Sequence, residues 1–218
     1  MTYEEIRRDE AVKVYIAQAD ASLNALGFTE HSFAHVTRVS ETAGYILKTL
    51  NYPERTIELA KIAGYLHDIG NVVNRVDHSQ SGAVMAFRSL DRMNFPPEEI
   101  AAIVTAIGNH DEGTGVPVNA VAAALIIADK SDVRRSRVRK KADIAHDIHD
   151  RVNYSVTGSD LKIDVEQKTI TLSITVDTQV SSVMEYFEIF MKRMLLCRKA
   201  AERLELTFKL TINGQVLV

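Results

Sequence analysis

A mainly α-helical body followed by a small C-terminal α+β appendage is the architecture this sequence predicts, and three observations predict it. Through the first 150 or so residues the apolar positions recur at three- and four-residue spacings, as on helices with one buried face. From Asp160 the period changes to alternation, in Leu161, Ile163 and Val165 and again in Ile170, Leu172, Ile174 and Val176. The 218 residues are 46% apolar and 25% charged, with only 10 Gly and 4 Pro, so the chain can bury a sizeable core. The expected division is residues 1–155 for the body and 156–218 for the appendage.

Composition also removes whole classes of function. The net charge of -3 is small and its signs are interspersed, which argues against a nucleic-acid polymer as partner. Cys197 is the only cysteine, so an internal disulfide and a thiolate zinc site are excluded; its neighbours read as a core helix, and it suits a reducing cytoplasm. The opening MTYEEIRRDE is charged where a signal peptide would be apolar, and no apolar run nears the roughly 18 residues of a membrane span. A cytoplasmic protein without a membrane partner is expected.

The first helix is predicted from about Glu4 to Leu26, with Gly27 ending it. A second starts from Thr29 as N-cap, with Phe28 and Phe33 as a hydrophobic staple, and carries His31 and His35 beside the stripe Val36, Val39, Ala43, Ile46, Leu47 and Leu50. Pro53 opens the third as its first residue; Ile57, Ala60, Ile62, Ala63, Tyr65 and Leu66 bury it, and His67 and Asp68 stand at its last turn. HSQSGAVMAFRSL forms a helix led by His78, and PPEEIAAIVTAIGNH another that ends at His110. DEGTGVPVN reads as a loop, after which AVAAALIIADKSDVRRSR begins as the most apolar helix of the chain, with Asp129 inside it. KKADIAHDIHDRVNY is polar, with Ile144, Ile148 and Val152 as one thin stripe, so His146 and His149 read as a solvated helix face. The tail follows as a hairpin, a long helix from Val183 through Phe187, Phe190 and Met194 to Ala201, and two strands about the Asn213-Gly214 turn, in the order β-β-α-β-β.

His-Asp dipeptides occur four times, where chance gives roughly half of one. The dipeptide alone therefore identifies nothing, and its setting must. His67-Asp68 follows an apolar helix and precedes Gly70, where an ionised Asp costs several kcal/mol unless paired or bound to a cation. His35, His67, Asp68, His78, His110 and Asp129 all take inward or terminal positions on successive helices, the way helical bundles assemble metal sites.

That series, in the local settings HSFAHVTRV, LHDIGN, HSQSGA and ADKSD, resembles the HD domain superfamily of metal-dependent phosphohydrolases over roughly residues 29 to 140. The resemblance implies an HD-domain helical bundle in which His35, His67, Asp68 and Asp129 hold one metal and His78 and His110 add a second. An all-His and carboxylate set suits two divalent transition-metal ions, iron or manganese first, with cobalt, nickel or zinc also able to serve, and Asp68 can bridge them. NHDEGTGVP also echoes the cyclic-dinucleotide phosphodiesterase branch called HD-GYP, but Asn109 or Asp111 stands where a second adjacent His would be and Val116 replaces Tyr.

Two metals would activate water and stabilise phosphoryl charge, giving hydrolysis of a phosphoester or phosphoanhydride of a small phosphorylated compound, a nucleotide foremost. Lys130 and Arg134, four apart on one face, are expected to meet phosphate, with Asp111 as a further contact. Asp68, Lys130 and His31 are the expected catalytic side chains, His31 as support for His35 or proton donor to the leaving group. A diiron oxygenase on the same site and a non-turnover metal- and nucleotide-binding module are the competing readings. The appendage is a candidate homodimer surface.

Overall fold

The computed structural model describes residues 1–139 and 147–217. His146 lies outside the described residues. The chain opens with α1 (Tyr3–Arg8) and α2 (Glu10–Ala25), not the single helix expected. Asp9 explains the break: it ends α1, and its carboxylate accepts the Val12 amide to cap α2. Gly27 then takes φ +84, a left-handed conformation that costs glycine nothing.

α3 (Phe33–Thr49) starts later than Thr29. Ser32 is its N-cap, and Phe28 and Phe33 are both largely exposed instead of forming a staple. Tertiary bonds explain the shift. The Glu30 amide donates to the Arg137 carbonyl at 2.8 Å, Arg137 Nε returns a bond to the Glu30 carbonyl at 2.9 Å, and the His31 amide is taken by Asp20 at 2.9 Å. Residues 28–32 are thus held in place before the helix can begin, and His31 precedes α3.

α4 (Glu54–Leu66) follows Pro53, which serves as N-cap and not as first residue, and ends with His67 as C-cap before a 3-10 turn at Ile69–Val72. α5 (His78–Arg92), α6 (Pro97–Gly108) and α7 (Ala120–Ser131) complete the bundle core, with Asn119 capping α7. α7 is buried along nearly its whole length and packs against α3, α4 and α6. It ends at Ser131. Arg134 lies beyond it at φ -159, so Lys130 and Arg134 do not share a helical face as the sequence suggested.

A 3-10 turn at Arg135–Arg137 and α8 (Ile148–Ser155) lead to β1 (Val156–Asp164) and β2 (Thr169–Val176), an antiparallel hairpin. α9 (Val183–Arg203) crosses to β3 (Thr207–Ile212), which pairs parallel to β2, and β4 (Gln215–Val216) closes the order β1-β2-β3-β4. Tyr186, Phe190, Met194 and Cys197 are buried along α9, which packs against both β3 and α7. Among the described residues no helix is long and apolar enough to cross a membrane.

Candidate metal centre

Two glycines bring the ligand-bearing backbones together. A Cβ on Gly64 would lie 2.8 Å from the Ser40 Cα, so α3 and α4 approach closely one turn before His67. A Cβ on Gly70 would stand 2.0 Å from the His78 carbonyl oxygen and 2.4 Å from the Gly82 amide. Only glycine permits that contact, which sets the start of α5, and with it His78, beside Asp68.

The structure gathers His35, His67, Asp68, His78, His110 and Asp129 at one buried point. His35 Nε2 is 3.6 Å from Asp68 Oδ2 and 3.4 Å from Asp129 Oδ1; His67 Nε2 is 3.3 Å and 3.7 Å from the same two oxygens. The other Asp68 oxygen, Oδ1, faces His78 Nε2 at 3.6 Å and accepts a bond from Asn71 at 2.9 Å. His78 Nε2 in turn lies 3.2 Å from His110 Nε2. Two groups of side chains could each hold a metal ion: His35, His67 and Asp129, and His67, Asp68 and His110. His67 belongs to both groups, and Asp68 turns Oδ2 toward His35 and His67 and Oδ1 toward His78.

The other ring nitrogen of each histidine fixes its role. His67 Nδ1 donates to the Gly64 carbonyl at 2.8 Å, His78 Nδ1 to that of Arg75 at 3.1 Å, and His110 Nδ1 to that of Ile107 at 2.6 Å. His35 Nδ1 instead pairs with Asp132 Oδ2 at 2.7 Å. A carbonyl oxygen can only accept, so the proton sits on Nδ1 and the Nε2 lone pair of each neutral ring points to the centre. His78 and His110 therefore present two lone pairs to one another, a contact that needs a proton or a cation between them.

The same conclusion follows from the polar atoms left over. His35 Nε2, His67 Nε2 and Asp68 Oδ2 are buried without a hydrogen-bond partner among the described residues. Each such atom costs about 1–3 kcal/mol. Their convergence at one point, in an all-nitrogen and oxygen donor set, fits divalent transition-metal ions.

Electrostatics keep the donors in binding form. Burial raises Asp68 and Asp129, but the surrounding positive groups outweigh it, chiefly His67 for the former and Lys130 for the latter, and hold both carboxyls well below their ordinary range. Burial keeps His31 and His110 well below theirs, and lowers His78 as well. Burial opposes charge on His67 too, but Asp68 and Asp129 shift it upward. The result is two anions among mainly neutral imidazoles.

A cavity of about 340 Å³ opens onto this centre. Asp68, Asp129, His78 and His110 lie at its floor, and His31, whose Nδ1 bonds the Thr29 carbonyl at 2.7 Å, lines it as well. Lys130 is there but committed: its Nζ is 2.8 Å from Asp129 and 2.7 Å from Glu112, and these anions raise its pKa against the effect of burial. Arg134 does not line the cavity, because it pairs with Asp132 at 2.8 Å and Glu30 at 3.0 Å. Asp111 does not line it either; its carboxylate accepts the Gly113 amide in the loop.

Several cavity residues escaped the sequence reading. Arg193 lines it, delivered by α9 and paired with Glu112 at 3.1 Å, beside Arg137, which the sequence places in the basic run after Lys130. So do Asp147, His149, Asp150 and Asn153; Asp147 and His149 are exposed as a solvated face would have them, whereas Asp150 is buried because α8 packs beside α9 and the turn at Arg135–Arg137. Asp132 was within sight in ADKSD, three residues after Asp129, although nothing in spacing alone marks it as the partner of His35.

The HD domain family matches residues 32–146, more than half of the chain. An uncharacterized protein of Methanocaldococcus jannaschii is 25% identical over 206 residues, covering 82% of this chain and 77% of its own. A solved structure described as a predicted HD superfamily hydrolase, from an uncultured Thermotogales bacterium, shares 26% identity over 60% of this chain and 73% of its own, with a TM-score of 0.47.

Proposed function

The chain belongs to the HD domain family of metal-dependent phosphohydrolases, and from that premise we propose that it hydrolyses a phosphoester or phosphoanhydride of a nucleotide, using two ions of iron or manganese. The observation that carries the reading is the convergence of buried, unpartnered His35 Nε2, His67 Nε2 and Asp68 Oδ2 at one point, which Asp68 joins to a cavity. His35, His67, Asp68 and Asp129 would hold one ion and Asp68, His78 and His110 the other. When bound, such a pair supplies Lewis acidity, acidifying the attacking water and neutralising charge on phosphoryl oxygens.

The protein's own groups do the rest. Asp132 holds the His35 ring with Nε2 inward. Lys130 keeps Asp129 and Glu112 ionised and in place while adding positive charge beside the phosphate. His31, tied at Nδ1 to Thr29, has Nε2 as the nitrogen that takes up a proton and returns it to the leaving oxygen. Leu26, Phe28 and Phe190 give the cavity an apolar side suited to a base, and its volume falls within the range of small-molecule sites, about 300–1,000 Å³.

In this reading residues 1–155 supply the metal ligands and 156–218 complete the cavity through α9. The outer side of α9, where Met184, Met191 and Leu195 are exposed, is the surface for a homodimer, and light scattering of the wild type against Met191→Glu tests it. The cytoplasm, where nucleotides are abundant, is the compartment proposed. The deciding experiment is a phosphate-release screen over nucleotides and sugar phosphates with manganese- or iron-loaded protein beside Asp68→Ala. Release that is chelator-sensitive and absent in the variant supports the reading; no release across the panel with full metal occupancy overturns it.

A further inference from the structure

The cations around the cavity are not equivalent. Lys130 sits between two carboxylates, Arg193 pairs with Glu112, and Arg137 is bound to the Asp132 and Glu30 carbonyls with the Asp132 carboxylate at 3.9 Å. Their charge is largely spent within the protein. Arg75 differs: among the described residues it has no carboxylate partner. Its guanidinium lies 5.6 Å from the centre of the Phe28 ring, and Nη1 reaches only Asn71 Oδ1 and His78 Nε2, both at a long 3.4 Å.

An aromatic face steadies a cation without cancelling its charge, where a carboxylate would do both. Phe28 and Arg75 come from separate loops, before α3 and before α5, and both line the cavity. The long contact to His78 Nε2 is also one that Arg75 must give up whenever that nitrogen serves a cation, and the guanidinium then has the cavity beside it. The main chain at the same residue positions His78, through the Arg75 carbonyl, which anchors the base of the arm.

We propose that Arg75, carried on the Phe28 ring, is the substrate-binding side chain that grips the phosphate, donating two parallel N–H bonds to its non-bridging oxygens. This inference rests on the phosphohydrolase reading, and it gives Arg75 a phosphate contact that the sequence points to at Lys130 and Arg134.

The test is calorimetric titration of inorganic phosphate into manganese-loaded wild type, Arg75→Ala, Arg75→Lys and Phe28→Leu, with bound manganese counted for each and kinetics measured on any phosphoester the wild type cleaves. In Arg75→Ala phosphate binding is expected to weaken about tenfold or more, with KM rising in step and kcat changing less, while manganese content stays at the wild-type value. Arg75→Lys restores part of the affinity, and Phe28→Leu loses less than Arg75→Ala. Phosphate affinity within twofold of wild type in Arg75→Ala, absence of phosphate binding by the wild type, or loss of manganese from the variant would each overturn the proposal. A wild type that binds phosphate through Arg75 but cleaves nothing separates failure of the hydrolase reading from failure of this one.

Discussion

His35 and His78 both turn Nε2 toward Asp68, but different groups stand behind their rings. Behind His35 is the Asp132 carboxylate, itself held by Arg134 at 2.8 Å and Arg38 at 3.2 Å. Behind His78 is a main-chain carbonyl at the longer distance of 3.1 Å, and its Nε2 is shared with Arg75 and His110. A carboxylate behind an imidazole raises its basicity and fixes its orientation more strongly than a carbonyl does. The side of His35, His67 and Asp129 is therefore expected to hold an ion more tightly than the side of His78 and His110.

The largest effect expected is on Asp68, the side chain that the two proposed ion positions share. Asp68→Ala should lose both ions and lower phosphate release by roughly 10³-fold or more, with circular dichroism unchanged. If elemental analysis finds one ion retained at full occupancy, the two sides are independent and the shared carboxylate is wrong. Asp132→Asn keeps the shape behind His35 but removes the charge, and should weaken metal binding about 10–100-fold. Unchanged affinity in that variant would erase the distinction between the two sides.

Gly70→Ala acts on the other side, by pushing the start of α5 from the His67-Asp68 turn. Overpacking there should cost about 1–3 kcal/mol in denaturant unfolding, and more of the metal lost should come from the His78 side. Equal loss from both sides would show that Gly70 sets the whole centre. The mildest intervention is a chelator titration of the wild type, where two phases of release separated by roughly tenfold in chelator concentration are expected. A single phase would mean that the carboxylate behind His35 confers no selective hold.

Much of the candidate site is legible in the sequence, because its candidate donors follow local rules. His67 and Asp68 end an apolar helix, His78 begins one, and Asp129 sits inside the most buried helix of the chain; each position announces a polar group where burial penalises it. The errors arose where distant chain segments overrule local preference. Thr29 is an acceptable N-cap, but Arg137 and Asp20 bind residues 30 and 31 first, so α3 waits for Ser32. Local periodicity puts Lys130 and Arg134 on one face of a longer helix, but α7 stops at Ser131, and Arg134 goes to Glu30 and Asp132 instead.

The His-Asp dipeptides show the same division. Sequence context separates His67-Asp68 from the pair at His149-Asp150 by the apolar helix before it, and the first pair lies where the candidate donors converge. Sequence could not see that the second pair borders the same cavity, because that depends on α8 packing beside α9, more than thirty residues later. Periodicity and the burial of polar groups are properties of short stretches, and they make the helical body, the alternating tail and six candidate donors readable from the chain alone. Tertiary structure alone decided which cations are neutralised by carboxylates and which is left for a phosphate, because charge pairing is set by side chains that meet only once the chain has folded.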